Sequence, residues 1–146
     1  MLLATGVPMI VIPSTWRKAF VAEKVLVGWN ASPVARRAIT DSLPLLMGAQ
    51  SVCVLVIDAN SNARHGEEPG ADTGLYMSRH GLKVTVENIR SEGRPIADVL
   101  QDMAGRNGYD LIVIGAFGHS RTRDMFFGDV TRSLLAQARV PLLLAH

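Results

Sequence analysis

The sequence predicts an α/β sandwich, one mostly parallel sheet with helices on both faces. Three observations predict it. Five short apolar runs, at 24–29, 51–57, 82–89, 110–114 and 140–145, are mostly rich in Val, Ile and Leu with little polar alternation. Such runs suit strands covered on both sides. Segments of helical spacing separate them, so strand and helix alternate along the chain. A glycine-bearing loop leaves the fourth run at its carboxyl end, where sheets of this kind bind ligands. At 146 residues, 48% hydrophobic and 19% charged, the chain fits one domain with a real core.

The first run ends in Asn30-Ala31-Ser32-Pro33, where Ser32 can cap a helix that Pro33 begins. Ala35, Ala38, Ile39, Leu43 and Leu46 follow at helical spacing, and Pro44 should kink or break the last turns. The second run encloses Cys53, the single cysteine, read as a small buried hydrophobe. One cysteine excludes a disulfide framework or Cys-rich metal site within the chain, and a reducing, cytoplasmic compartment is expected. The polar loop "NSNARHGEEPG" and a short helix ending at Gly81 come next. His65, Glu67 and Glu68 fall in that loop without metal-ligand spacing. The third run alternates Val84, Val86 and Ile89 with polar residues, as an edge strand does. Ile96, Val99, Leu100 and Met103 mark the next helix, which stops near Gly108. Val130, Leu134, Leu135 and Ala138 mark the last. Trp16 and Trp29 read as packing or interface residues.

The chain's beginning repeats its end. "LLATGVPMIVI" at 2–12 resembles "LLAQARVPLLLA" at 134–145, with one residue inserted before the shared Val-Pro. The alternatives are chance likeness of apolar segments and a strand, within 1–14, that closes a preceding related unit. Residues 7–12 are expected as a sixth strand antiparallel to 140–145, within one chain or across a dimer. This start lacks a basic leader and carries Pro8 early, which makes a poor signal peptide. No apolar run approaches the roughly 18 residues of a membrane span, so a soluble protein is expected. Basic residues are scattered over a net charge of +2, which gives no nucleic-acid patch.

Residues 115–129 read "GAFGHSRTRDMFFGD". A Walker cradle would need Gly-Lys-Ser/Thr, yet no lysine follows Lys83. The Gly-x-Gly-x-x-Gly spacing of a dinucleotide loop is absent too. What stands here is Gly115-x2-Gly118-x9-Gly128. Gly115 and Gly118 permit close backbone approach, and Gly128 precedes a helix whose free amides favour an anion.

With "VLVGWNAS" at 25–32, "EGRPIADVL" at 92–100, "DLIVIGAFGHS" at 110–120 and "VTRSLLAQARVPLLL" at the end, the chain over 22–146 resembles the universal stress protein family. The resemblance implies a five-stranded parallel sheet of order 3-2-1-4-5 and an adenosine nucleotide, ATP or a relative, between the ends of strands one and four. By position it puts Asn30, Ala31 and Ser32 at the nucleoside end and Val56 beside adenine. Gly115, Gly118, Gly128, Asp129 and Val130 would line ribose and phosphates. His119 can contact phosphate or stand as a solvated loop histidine, and Ser32 and Ser120 read better as helix caps than as nucleophiles.

Three positions depart from the nucleotide-binding pattern. Asn30 replaces Asp, Ala31 replaces Gly, and Asp129 replaces a hydroxyl that caps the helix and donates to phosphate. A carboxylate can cap only as an acceptor, and it repels phosphate. Mg²⁺, His119, Arg121 or Arg123 could compensate in principle. The expected function is a small regulatory stress module, a dimer or tandem pair through strand 140–145, with slow ATP hydrolysis at most. Two classes stay open: a weak nucleotide binder and a protein-contact module that has lost the ligand. A flavodoxin-like carrier would need a Ser/Thr-rich loop after strand one, which is missing.

Overall fold

The computed structural model describes residues 6–116 and 129–146. Its elements are β1 (Met9–Val11), β2 (Lys24–Gly28), α1 (Pro33–Leu46), β3 (Ser51–Ile57), α2 (Ala71–Arg79), β4 (Val84–Ile89), α3 (Ile96–Asn107), β5 (Leu111–Gly115), α4 (Asp129–Gln137) and β6 (Leu142–Ala145). Two short 3-10 turns, Ala59–Ser61 and Ala63–His65, fill the polar loop after β3.

The strands form one sheet in the order β1-β6-β5-β2-β3-β4. β2 lies parallel between β3 and β5, with Val25 opposite both Val52 and Leu111. β4 pairs parallel with β3, and β6 with β5. Setting β1 aside, the parallel strands stand in the expected order 3-2-1-4-5. β4 is the exposed edge on one side, in keeping with its alternating sequence.

Side-chain alternation along each strand sends residues to two separate cores. Val25, Val27, Val52 and Val54 meet Ala35, Ala38 and Ile39 of α1 and Met77 of α2 on one face. Leu26, Leu55 and Ile112 meet Ala97, Leu100 and Ala104 of α3 and Leu134 of α4 on the other. Cys53 belongs to this second core and is buried there as a free thiol. Burial pushes its pKa up, so it stays a neutral thiol.

α1 corrects one expectation. It runs through Pro44 to Leu46 instead of breaking. Pro44 removes one helical amide, but only Leu45 and Leu46 of the helix follow it. The Met47 amide still donates to the Leu43 carbonyl at 3.0 Å, so the end is closed beyond the proline.

β1 lies antiparallel against β6, with Met9 opposite Leu144, Ile10 opposite Leu143 and Val11 opposite Leu142. In the repeated Val-Pro segments, Met9, Ile10 and Val11 are the counterparts of Leu142, Leu143 and Leu144. Each pair is thus mirrored by its counterpart about the Ile10–Leu143 centre. That is the register two copies of one strand adopt around a two-fold axis.

No helix among the described residues is long and apolar enough to cross a membrane.

Candidate functional site

Between β2 and β5 the chain's order reverses. β2 feeds α1 and then β3 on one side, while β5 feeds α4 and then β6 on the other. In open α/β sheets the crevice beyond the carboxyl ends at this switch point is where ligands bind. Asn30, Ala31 and Ser32 leave β2 there, and Gly115 ends β5.

The turn after β2 is tightly built. The Asn30 carboxamide oxygen accepts from the Ser32 amide at 3.1 Å, and the Asn30 carbonyl accepts from Asn62 Nδ2 at 2.9 Å. Ala31 sits at φ +58°, in the left-handed region, with its methyl buried. This is a conformation that glycine adopts freely and that a Cβ disfavours. Ser32 is fully buried, and its hydroxyl accepts from the Ala35 amide at 3.1 Å. It is the N-cap of α1, with Pro33 in the first turn, as expected.

Gly115 has an unexpected neighbour. A Cβ there would lie 2.6 Å from the Ala35 nitrogen and from the Val34 carbonyl carbon. The backbone that needs this glycine is the first turn of α1, which passes directly over the end of β5. Val56 is fully buried on the α1–α2 face. A Cβ on Gly70 would come within 3.1 Å of the Val56 Cγ2, so Gly70 closes over that side chain.

Asp129 is the first residue of α4 and is exposed. Val130 follows and packs against the α3–α4 core. The structure thus brings Asn30, Ala31, Ser32 and Gly115 together around the start of α1. Gly118, His119, Ser120, Arg121, Arg123 and Gly128 lie outside the described residues.

Sequence reading missed two residues that shape this end of the sheet. Asn62 bridges to Asn30 across 32 positions. Asp58, at φ +54°, accepts from the Ser91 amide at 2.8 Å and the Ser91 hydroxyl at 2.5 Å, tying the end of β3 to the end of β4. Those Ser91 bonds, hydroxyl first, hold the Asp58 carboxyl below the usual aspartate range. The run Asp58-Ala59-Asn60-Ser61-Asn62 carries the turn chemistry that could have signalled a built loop. Among the described residues, no group of three His, Cys, Asp or Glu could hold a metal.

These features define a doubly wound α/β domain whose switch point lies between β2 and β5. Residues 21–146 match the model of the universal stress protein family, and the chain belongs to that family. A curated universal stress protein of Synechocystis sp. is 24% identical over 141 residues, covering 93% of this chain and 46% of the relative. The chain thus spans about half the length of that relative. Among solved structures, universal stress protein UspA from Lactobacillus plantarum is similar with a TM-score of 0.70 at 17% identity, over 86% of this chain and 99% of that one. A universal stress protein from Archaeoglobus fulgidus gives 0.69 at 15% identity, over 96% of this chain and 50% of that one. A universal stress protein in complex with cAMP gives 0.64 at 17% identity, over 85% and 96%. At these identities the likeness shows the fold.

Proposed function

We propose that this chain is a regulatory stress module whose switch-point crevice takes an adenosine nucleotide only weakly. A nucleotide is supported by the crevice's place in the sheet and by the structural neighbour solved with cAMP. Asn30, Ala31, Ser32 and Val56 would stand at the nucleoside end. Gly115, Gly118, His119, Gly128, Asp129 and Val130 would stand at ribose and phosphates. The observation that carries the weakness is Asp129, an exposed carboxylate in the first turn of α4.

A helix N-terminus draws anions through its free amides. Here the chain supplies its own anion. Two unit charges about 4 Å apart repel by about 4 kcal/mol at an effective dielectric of about 20. Unscreened, that is roughly a thousandfold in affinity. Solvent and salt reduce it at an exposed position, so at least tenfold is the expected effect.

The test is calorimetric titration of ATP, with and without Mg²⁺, into the chain and its Asp129→Ser variant at fixed ionic strength. The unmodified chain should bind near the millimolar range, and the variant at least tenfold more tightly. Mg²⁺ should narrow the gap, because a hard cation offsets carboxylate–phosphate repulsion. Tight binding by the unmodified chain would defeat the reading. No gain in the variant would move the cause to Asn30 and Ala31.

A second reading concerns pairing, and the β1–β6 register favours it. The two-fold-like match of repeated segments is what results when β1 is the last strand of a preceding related unit set against this one. Residues 1–14 are then the end of that unit, and 22–146 the domain itself. The same seat on β6 would serve a second copy of the chain in a homodimer.

A further inference from the structure

A cavity of about 360 Å³ opens between α1 and α2, on the face of the sheet away from α4. Trp29, Ile39 and Tyr76 give it apolar and aromatic walls. Its charged lining is balanced, with Arg36 and Arg64 against Glu68 and Asp72. None of these four side chains forms an ion pair among the described residues. His65 also lines the cavity, and its Nδ1 is buried without a hydrogen-bond partner among the described residues. Buried polar atoms are nearly always paired, so an orphaned imidazole nitrogen beside a cavity calls for a missing partner.

We propose that this cavity, which adjoins the nucleoside end at Ala31 and at Gly70 over Val56, takes an aromatic amino acid as the free zwitterion. The size and walls suit one ring and a short backbone. The charge pattern decides the rest. A plain carboxylate would satisfy the two guanidinium groups and leave Glu68 and Asp72 facing an anion. A plain amine would do the reverse. A molecule bearing both groups pairs with both signs. The His65 imidazole, kept neutral because burial lowers its pKa, can then accept from the ammonium or donate to the carboxylate according to its tautomer. The lining meets the nucleoside end at Ala31 and through Gly70 beside Val56, while Asp129 lies outside it.

The test titrates the whole chain with phenylalanine, tyrosine and tryptophan, following the His65 ring resonances by NMR. In parallel, 3-phenylpropionate lacks the ammonium of phenylalanine and phenethylamine lacks its carboxylate. Phenylalanine should saturate the site with a shift of the His65 ring, and tyrosine and tryptophan rank the fit of larger rings. Both analogues should bind at least tenfold more weakly than phenylalanine. Arg36→Gln and Arg64→Gln alter exposed side chains and leave the core untouched, so the fold is kept while affinity drops at least tenfold. Asp129→Ser should leave this affinity unchanged. The proposal is overturned if phenylalanine does not saturate, if either analogue matches it, or if either arginine variant binds normally.

Discussion

At Gly115 the physics is contact distance. A Cβ there meets main-chain atoms of Val34 and Ala35 at 2.6 Å, and backbone cannot swing aside as a flexible side chain does. Gly115→Ala should therefore destabilise the fold by about 1–3 kcal/mol through overpacking. Gly105 is the counter-case. It lies inside α3, exposed, and a Cβ there meets nothing within 4 Å. Gly105→Ala should stabilise by about 0.5–1 kcal/mol, because alanine gives up less chain entropy in a helix. Urea melts of both variants check the pair, and a neutral Gly115→Ala would mean that α1 can shift away from β5. The site was legible to the same depth. The glycine spacing marked a place of close approach but could not name what approaches. Ala31 offered no local sign of its left-handed backbone, because alanine usually avoids that region. Ser32 was readable, since a hydroxyl before Pro33 and a helical pattern has one dominant use.

The ends of β3 and β4 are joined by one side chain. Asp58 takes two bonds from Ser91, and these depress its pKa. For a carboxyl with a depressed folded value, the unfolded chain binds the proton more readily. The stabilisation is then complete above the ordinary aspartate range and is lost as pH falls through the lower folded value. Asp58→Asn should flatten that acid limb of the stability profile, measured by thermal melts between about pH 2 and pH 6 across the ordinary aspartate value. An unchanged limb would place the acid sensitivity on other carboxyls, such as Asp102, which the Arg94 hydrogen bond holds low. At the other edge, β1 covers β6, whose four residues are all buried. Val7, Ile10 and Ile12 nevertheless stay exposed, at 57%, 44% and 51%. Deleting residues 1–14 would bare an apolar strand edge, and such edges pair with whatever strand is offered. The truncated chain should therefore sediment as a dimer or larger species, with the full chain as reference. A truncated chain that stays monomeric would show that β6 needs no cover. Elements were easier to read than their limits. Apolar runs and caps located every parallel strand, while the passage of α1 through Pro44 turned on how little helix follows it.

Across the molecule, the order of strands depended on more than local pattern. Alternation of strand and helix requires crossovers on a parallel sheet, yet it leaves the side chosen by each crossover open. The family resemblance settled that, and the two cores show its outcome: α1 and α2 on one face, α3 and α4 on the other. Contacts between residues far apart in sequence, such as Asn62 to Asn30, had no signature to read. The same architecture predicts how the fold opens. β2, β3 and β5 occupy the middle of the sheet, with Leu26, Val54 and Ile112 at zero exposure, so their ladders break only when both cores break. Leu26→Ala should accordingly cost about 2–5 kcal/mol. β1 rests on three register pairs with β6 and two exposed residues, so it can open alone. β4 lies between these limits, paired along its whole length on one side and open on the other. Native-state hydrogen exchange should rank the amides in that order, with β2, β3 and β5 slowest, β4 intermediate and β1 fastest. The Leu26→Ala variant should speed the slowest class by the factor its loss of stability sets, and leave β1 unchanged. If β1 is instead protected as well as β5, three pairs with β6 are too few to account for it, and a second strand must lie on its free edge. Dilution separates the two cases, because protection lent by another chain falls with concentration and protection within one chain does not.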